Sequence, residues 1–200
     1  MSELEALHKQ IRGCGACKLS TGRAHAVPGE GPEKAMIMFI GEGPGFHEDK
    51  QGRPFVGAAG QFLEELLTSI DLKREGVFIT NVVKCRPPAN RDPEPDEIGA
   101  CQGYLDRQIE LIQPKMVVTL GRFSMARYFP NAKISKIHGQ PKKMDGVIYY
   151  PMYHPAAALH QPSLRGTVQQ DMKRIPRLLA EIDRLAEEEP PEHVEQLSLF

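Results

Sequence analysis

Residues 36–45 read Met36-Ile37-Met38-Phe39-Ile40-Gly41-Glu42-Gly43-Pro44-Gly45. The run to Gly41 is apolar on both alternations, which predicts a strand buried on both faces, and the glycine- and proline-containing turn that follows presents a carboxylate at the strand end. Outward from it, three further runs have the same form: Val77 to Val83, Met116 to Gly121 and Val147 to His154. Helical patterns lie around and between them. Ser2 and Glu5 have capping-box spacing, with Leu4, Leu7 and Ile11 as the apolar stripe of the same helix. Phe62, Leu63, Leu66, Leu67 and Ile70 make a second stripe; Ile98, Cys101, Leu105, Ile109 and Ile112 make a third. The last runs from about Val168 to Leu185 through Met172, Ile175, Leu178, Leu179 and Ile182. Strand–helix alternation of this kind predicts an α/β fold, a three-layer α/β/α sandwich with a central, mostly parallel four-stranded sheet.

Ligands of such folds sit beyond the carboxyl ends of the strands. Those ends read Gly41-Glu42-Gly43-Pro44-Gly45, Thr80-Asn81, Leu120-Gly121-Arg122 and Tyr153-His154-Pro155. Three of the four deliver a carboxylate, an amide or an imidazole to one edge of the sheet. A nucleotide-binding reading is weaker, because the glycine loop has neither the Lys-Ser/Thr pair of a P-loop nor the G-x-G-x-x-G spacing.

The chain has 200 residues, enough for one domain with a real core. No apolar run is longer than Ala35 to Ile40, so no membrane-spanning helix is expected. The first thirty residues lack the zones of a secretory signal, and the expectation is a cytoplasmic, monomeric protein. Lys plus Arg is 25 and Asp plus Glu is 26, a balance that on its face argues against a nucleic-acid partner. The distribution says otherwise. Residues 181–200 hold seven acids and one base, a net of −6, which leaves +5 on residues 1–180.

Cys14 and Cys17 form a C-x2-C pair after the first helix, and Cys85 and Cys101 have fifteen residues between them. In a cytosolic protein disulfides are disfavoured, so the four read first as metal ligands. Four thiolates suit zinc or an iron–sulfur cluster, and spacing alone leaves both open.

With these residues in hand, the sequence resembles the family 4 uracil-DNA glycosylases, the iron–sulfur branch of the uracil-DNA glycosylase superfamily. The resemblance covers about residues 1–180. It rests on Gly41-Glu42-Gly43-Pro44-Gly45 followed by Glu48-Asp49, on Gly52-Arg53-Pro54-Phe55-Val56-Gly57, on Thr80-Asn81-Val82-Val83-Lys84-Cys85-Arg86-Pro87-Pro88 and on His154-Pro155-Ala156. It implies a monofunctional DNA N-glycosylase that hydrolyses the N-glycosidic bond of uracil in double- and single-stranded DNA, leaves an abasic site and so initiates base excision repair. It implies that Cys14, Cys17, Cys85 and Cys101 bind a structural 4Fe-4S cluster.

The same resemblance distributes the roles. The base is flipped into a pocket, where Gly41, Glu42 and Gly43 approach it with their backbone, Phe55 stacks on it and Asn81 reads its edge. An amide can accept from uracil N3–H and donate to O4, the reverse of what cytosine presents. Glu48 stands where the methyl of thymine would have to fit. His154 and Glu42 are the catalytic pair: the imidazole meets the departing anion, and the carboxylate meets the cationic sugar and the water. Leu159 is a candidate wedge in the minor groove or else packs on the core, and Arg165 is a candidate phosphate contact. Lys84, Arg86, Arg91, Lys136, Lys142 and Lys143 are further backbone-contact candidates. Phe46-His47 departs from the acids or small polar residues that relatives often carry there. The basic, histidine-bearing loop of the branch that is trapped covalently on its product is absent.

The segment 186–200 is charged, proline-containing and without apolar period, which predicts a flexible acidic tail after a catalytic domain of residues 1–185. It ends in Gln196-Leu197-Ser198-Leu199-Phe200, which resembles the peptide by which bacterial repair proteins bind the DNA polymerase sliding clamp. Gln196, Leu197, Leu199 and Phe200 are the expected contacts, tethering the enzyme near DNA in the nucleoid. The rival from another class is a non-catalytic iron–sulfur or zinc protein. It would keep the cysteines with no need of Glu42, Asn81 and His154 at neighbouring strand ends.

Overall fold

The computed structural model describes residues 1–188, with side chains as far as Glu181. Its sheet contains β1 (Ile37–Gly41), β2 (Phe78–Asn81), β3 (Met116–Leu120), β4 (Lys142–Met144) and β5 (Val147–Met152), in the order β2-β1-β3-β5-β4. The first four strands in that order run parallel, and β4 pairs antiparallel with β5 at the edge. The sheet is therefore mostly parallel but has five strands where four were expected. Lys142-Lys143-Met144 is short and too polar to read as a strand, so the expected four strands omit it. Asp145-Gly146 takes positive φ at both positions (49° and 79°), the conformation that makes Asp-Gly a two-residue hairpin turn.

The helices are α1 (Glu3–Gly13), α2 (Leu19–Gly22), α3 (Phe46–Gln51), α4 (Ala58–Thr68), α5 (Pro95–Ile112), α6 (Arg122–Ala126), α7 (Ile134–Ile137), α8 (Pro155–His160) and α9 (Arg165–Glu188). Ser2 caps α1 as its spacing predicts, accepting from the Glu5 N–H while Glu5 accepts from Ser2. Alternation along β1 sends its residues to two different cores. Ile37 and Phe39 pack with Phe62, Leu63, Leu66 and Leu67 of α4 and with Val168, Met172 and Ile175 of α9. Met38 and Ile40 pack with Leu4, Leu7 and Ile11 of α1 and with Cys101, Leu105 and Ile112 of α5. Two apolar layers on opposite faces of one sheet make the three-layer sandwich, and their burial is the main favourable term holding it together. No helix among the described residues is long and apolar enough to cross a membrane.

The strand order changes direction between β1 and β3, which opens a crevice at the carboxyl ends of these strands. β2 stops at Asn81 rather than Val83. Val82 and Val83 turn away and donate their N–H groups to the carbonyls of Gly41 (3.0 Å) and Glu42 (3.1 Å), fastening the two strand ends together. Of the tail expected over residues 186–200, residues 186–188 continue α9 instead, and the rest, with Gln196, Leu197, Leu199 and Phe200, lies outside the described residues.

Candidate active site

A cavity of about 690 Å³ opens at the carboxyl edge of the sheet. Six of the seven residues expected to meet the base line it: Glu42, Gly43, Glu48, Phe55, Asn81 and His154. Gly41 does not. It pairs in register with Asn81, and a Cβ on it would lie 2.4 Å from Asn81 Oδ1 and 2.7 Å from Phe55 Cζ. Glycine is needed here because the amide and the ring close over this backbone.

Asn81 ends β2 almost fully buried, and its Oδ1 has no hydrogen-bond partner. A buried carbonyl oxygen without a donor costs on the order of 1–3 kcal/mol. Within a cavity wall, that cost is removed only by a donor the cavity receives.

His154 follows β5 as the N-cap of α8, where its Nδ1 accepts from the Ala156 N–H at 3.1 Å. Burial lowers its pKa from 6.5 to about 4, against a small upward pull from Glu48, so the ring is neutral near pH 7. Phe55 stacks on this ring, with centroids 5.5 Å apart and planes 24° from parallel. Its backbone is held at φ 50°, where a non-glycine residue is strained, by Arg74 donating to the Phe55 carbonyl at 2.8 Å. Gly60 gives the room, since a Cβ there would overlap that carbonyl oxygen at 1.9 Å.

Glu48 has a fuller engagement than its sequence position suggested. One oxygen accepts from the N–H groups of Val56 and Gly57 (2.8 Å each) and the other from Gly45 (3.1 Å). Its carboxylate is thus a fixed wall of the cavity that also pins the Phe55 loop. Glu42 is the opposite case. Burial first, and then the charge of Asp92, raise its pKa to about 7, with Arg122 pulling the other way.

Cys14, Cys17, Cys85 and Cys101 come together around a second, small pocket, from the end of α1, the turn before α2, the loop after β2 and the middle of α5. None of the four is in a disulfide. N–H donors point at three of the sulfurs: Arg23 at Cys85 (2.9 Å), the Lys84 backbone at Cys101 (3.2 Å) and the Ala16 backbone at Cys14 (3.4 Å). Among the described residues no three His, Cys, Asp or Glu side chains have the arrangement to grip one metal ion.

Residues 28–180 match the family model of the uracil DNA glycosylase superfamily. The chain is 52% identical over 188 residues to a type-4 uracil-DNA glycosylase of Sulfurisphaera tokodaii, covering 89% of this chain and 86% of the relative. It is 45% identical over 188 residues to a type-4 uracil-DNA glycosylase of Archaeoglobus fulgidus, covering 89% and 94%. A type-5 uracil-DNA glycosylase of Thermus thermophilus aligns over only 51% of this chain and 53% of its own length, at 36% identity. The chain belongs to the type-4 branch of the uracil-DNA glycosylase superfamily.

Several candidates around this type-4 site need correction or placement. Lys84 cannot reach a phosphate. It is 1% exposed, and its Nζ donates to Thr80 Oγ1 (2.6 Å), Gln108 Oε1 (2.7 Å) and the Asn81 carbonyl (2.8 Å). Arg91 lines the cavity but is committed to the buried Glu97, whose carboxyl it holds down to about 2. Arg165, at the start of α9, is paired with Glu65 at 2.5 Å and lies over the Phe62 ring. Leu159 is 40% exposed and belongs to neither core, which removes the packing alternative. Lys136, Lys142 and Lys143 are exposed, the last two on β4. Sequence reasoning missed Asp92 and its ion pair with Arg122. Arg122 had a signal, since it follows the β3 end directly; Asp92 sits in a loop with none.

Proposed function

We propose that this type-4 family member excises uracil from DNA, hydrolysing the N-glycosidic bond to leave an abasic site, with Asn81, His154 and Glu42 as its working side chains. The observation that carries the reading is the partnerless Asn81 Oδ1 in a cavity whose other wall holds a neutral imidazole. Oδ1 accepts from uracil N3–H and Nδ2 donates to O4. Cytosine would set donor against donor and acceptor against acceptor, leaving buried groups unpaired, the situation that gives strong discrimination.

Because His154 Nδ1 is an acceptor, the ring proton is on Nε2, which donates to uracil O2. As the C1′–N1 bond breaks, its electron pair leaves with N1 and negative charge grows on O2, where this donor is already placed. The water oxygen bonds to C1′ and its proton passes to the Glu42 carboxylate, whose pKa of about 7 suits a base at neutral pH. Phe55 stacks on the flipped base beside His154, Gly43 lets the loop backbone approach, and Glu48 walls off a C5 methyl. Leu159 fills the gap left in the duplex, and Arg165 leaves Glu65 to take a phosphate.

Cys14, Cys17, Cys85 and Cys101 hold a 4Fe-4S cluster in this reading. Four thiols around one pocket with N–H donors aimed at the sulfurs fit a group in which each iron takes one cysteine. It supplies a structural tie between α1, the loop after Asn81 and α5, and no step of the hydrolysis. The partners are uracil-containing double- and single-stranded DNA for a monomeric body of residues 1–185, and the sliding clamp for Gln196, Leu197, Leu199 and Phe200. The test is incubation with uracil-containing single and double strands followed by cleavage at abasic sites. Strand breaks at uracil and none at cytosine or thymine are expected; intact strands would overturn the reading.

A further inference from the structure

Among the described residues, Phe46 is the large exposed apolar side chain that lines the cavity. It opens α3 directly after the glycine loop, is 44% exposed, and belongs to neither hydrophobic core, so the fold does not require it. Two cations from different segments stand on its ring. Lys50 Nζ, one turn along α3, is 4.4 Å from the centroid, and the Arg86 guanidinium, from the loop after Cys85, is 5.1 Å away. Among the described residues neither is paired with a carboxylate, and Arg86 donates Nε to the neutral Asn90 amide at 2.8 Å. An aromatic face between two available cations, in the lining of this cavity, complements a nucleotide: a flat π-surface for the base and positive charge for the phosphates beside it.

We infer that Phe46 is a stacking platform for the nucleobase next to the extruded uracil in the same strand, with Lys50 and Arg86 holding the phosphates that flank it. The inference rests on the uracil-excision reading for its substrate. Both cations are on long flexible side chains, and turning either to a phosphate uncovers a face of the ring. In a duplex the neighbouring base is already stacked and paired, so the platform competes with the helix. In a single strand it has no competitor, and its contribution is larger there.

The test uses the full chain and a single-stranded oligonucleotide carrying 2′-fluoro-uridine, which resists excision, with its duplex alongside; binding is read by fluorescence anisotropy across a salt series. Phe46→Ala is expected to raise Kd for the single strand about tenfold, the effect of losing one base–aromatic stack, with the salt slope unchanged. The duplex Kd moves by less than about threefold, and Phe46→Trp restores single-strand affinity. Lys50→Gln weakens binding and lowers the salt slope by about 0.7, one phosphate contact on a single strand. An unchanged single-strand Kd in Phe46→Ala, an equal loss on both substrates, or no recovery in Phe46→Trp would overturn the platform. Excision of ordinary uracil by the unaltered chain, measured in parallel, tests the catalytic reading separately.

Discussion

The Ala156 amide N–H donates to Nδ1 of His154 at 3.1 Å, and this bond sets the tautomer of the imidazole. With Nδ1 committed as an acceptor, the single proton of the neutral ring sits on Nε2. The same contact caps α8, so the helix start and the orientation of the ring are one structural event.

The pH response follows from two groups with opposite signs. His154 has a folded pKa of about 4 against 6.5 unfolded, so the unfolded chain takes the extra proton and stability from this ring rises as pH rises from about 4 to 6.5. Glu42 is raised to about 7 from 4.5, so its neutral form favours the fold and that contribution is lost as pH rises from about 4.5 to 7. Excision should climb with pH through about 7 as Glu42 ionises, with no step from His154 above about pH 5. In Glu42→Gln that limb disappears, and the variant gains more Tm over the parent at pH 8 than at pH 4.5. Single-turnover rates and melting curves across pH 4.5–8.5 check both, and a Glu42→Gln profile with the limb intact would remove Glu42 from the water-activating role.

Asn81→Asp replaces the two-sided amide by an acceptor-only carboxylate facing uracil O4. Excision of uracil is expected to fall by about 10²–10³, the size of a lost preorganised polar contact in a transition state. Single-turnover excision from a uracil oligonucleotide measures it, and His154→Ala should lose a comparable factor. Near-parental rates in both variants would refute the assignment.

Lys84 is a buried amine whose three acceptors come from Thr80, Gln108 and Asn81, and burial pulls its pKa down to about 7. Lys84→Met leaves these oxygens without their donor, a destabilisation of about 1–3 kcal/mol, and frees the carbonyl of Asn81, the residue proposed to read the base. A lower Tm together with a lower excision rate is expected. A rate equal to the parent's in a destabilised variant would confine Lys84 to the fold.

Removing one sulfur of the four-cysteine pocket, as in Cys101→Ser, should abolish visible absorption near 400 nm, lower Tm and slow excision, because the loop carrying Cys85 also follows Asn81 within four residues. Metal analysis of the purified parent should find iron. A cluster-free chain that excises uracil at the parental rate would contradict the structural tie.

Deletion of residues 196–200 should abolish binding to the sliding clamp and leave excision from short oligonucleotides unchanged. Surface binding to immobilised clamp reads the first and an endpoint excision assay the second. Retained clamp affinity would exclude the terminal peptide as the contact.

By itself the sequence determined the layers, the parallel strands and the strand-end residues. Buried strands and amphipathic helices are local periodicities, and parallel topology then brings Glu42, Asn81 and His154 to one edge without further information. The four cysteines were legible as a group because a C-x2-C pair and two further cysteines stand out in a chain where disulfides are disfavoured. Tertiary structure decided what depends on partners far along the chain. Lys84 reads as a surface lysine until Thr80, Gln108 and the Asn81 carbonyl close around it. Glu48 reads as a pocket wall until the N–H groups of Val56 and Gly57 arrive to fix it there. Asp92 carries no signal until the loop folds over Glu42 and meets Arg122. Hydrogen bonds and charges act over a few ångströms of space, and residue spacing encodes that distance only within one helix or strand.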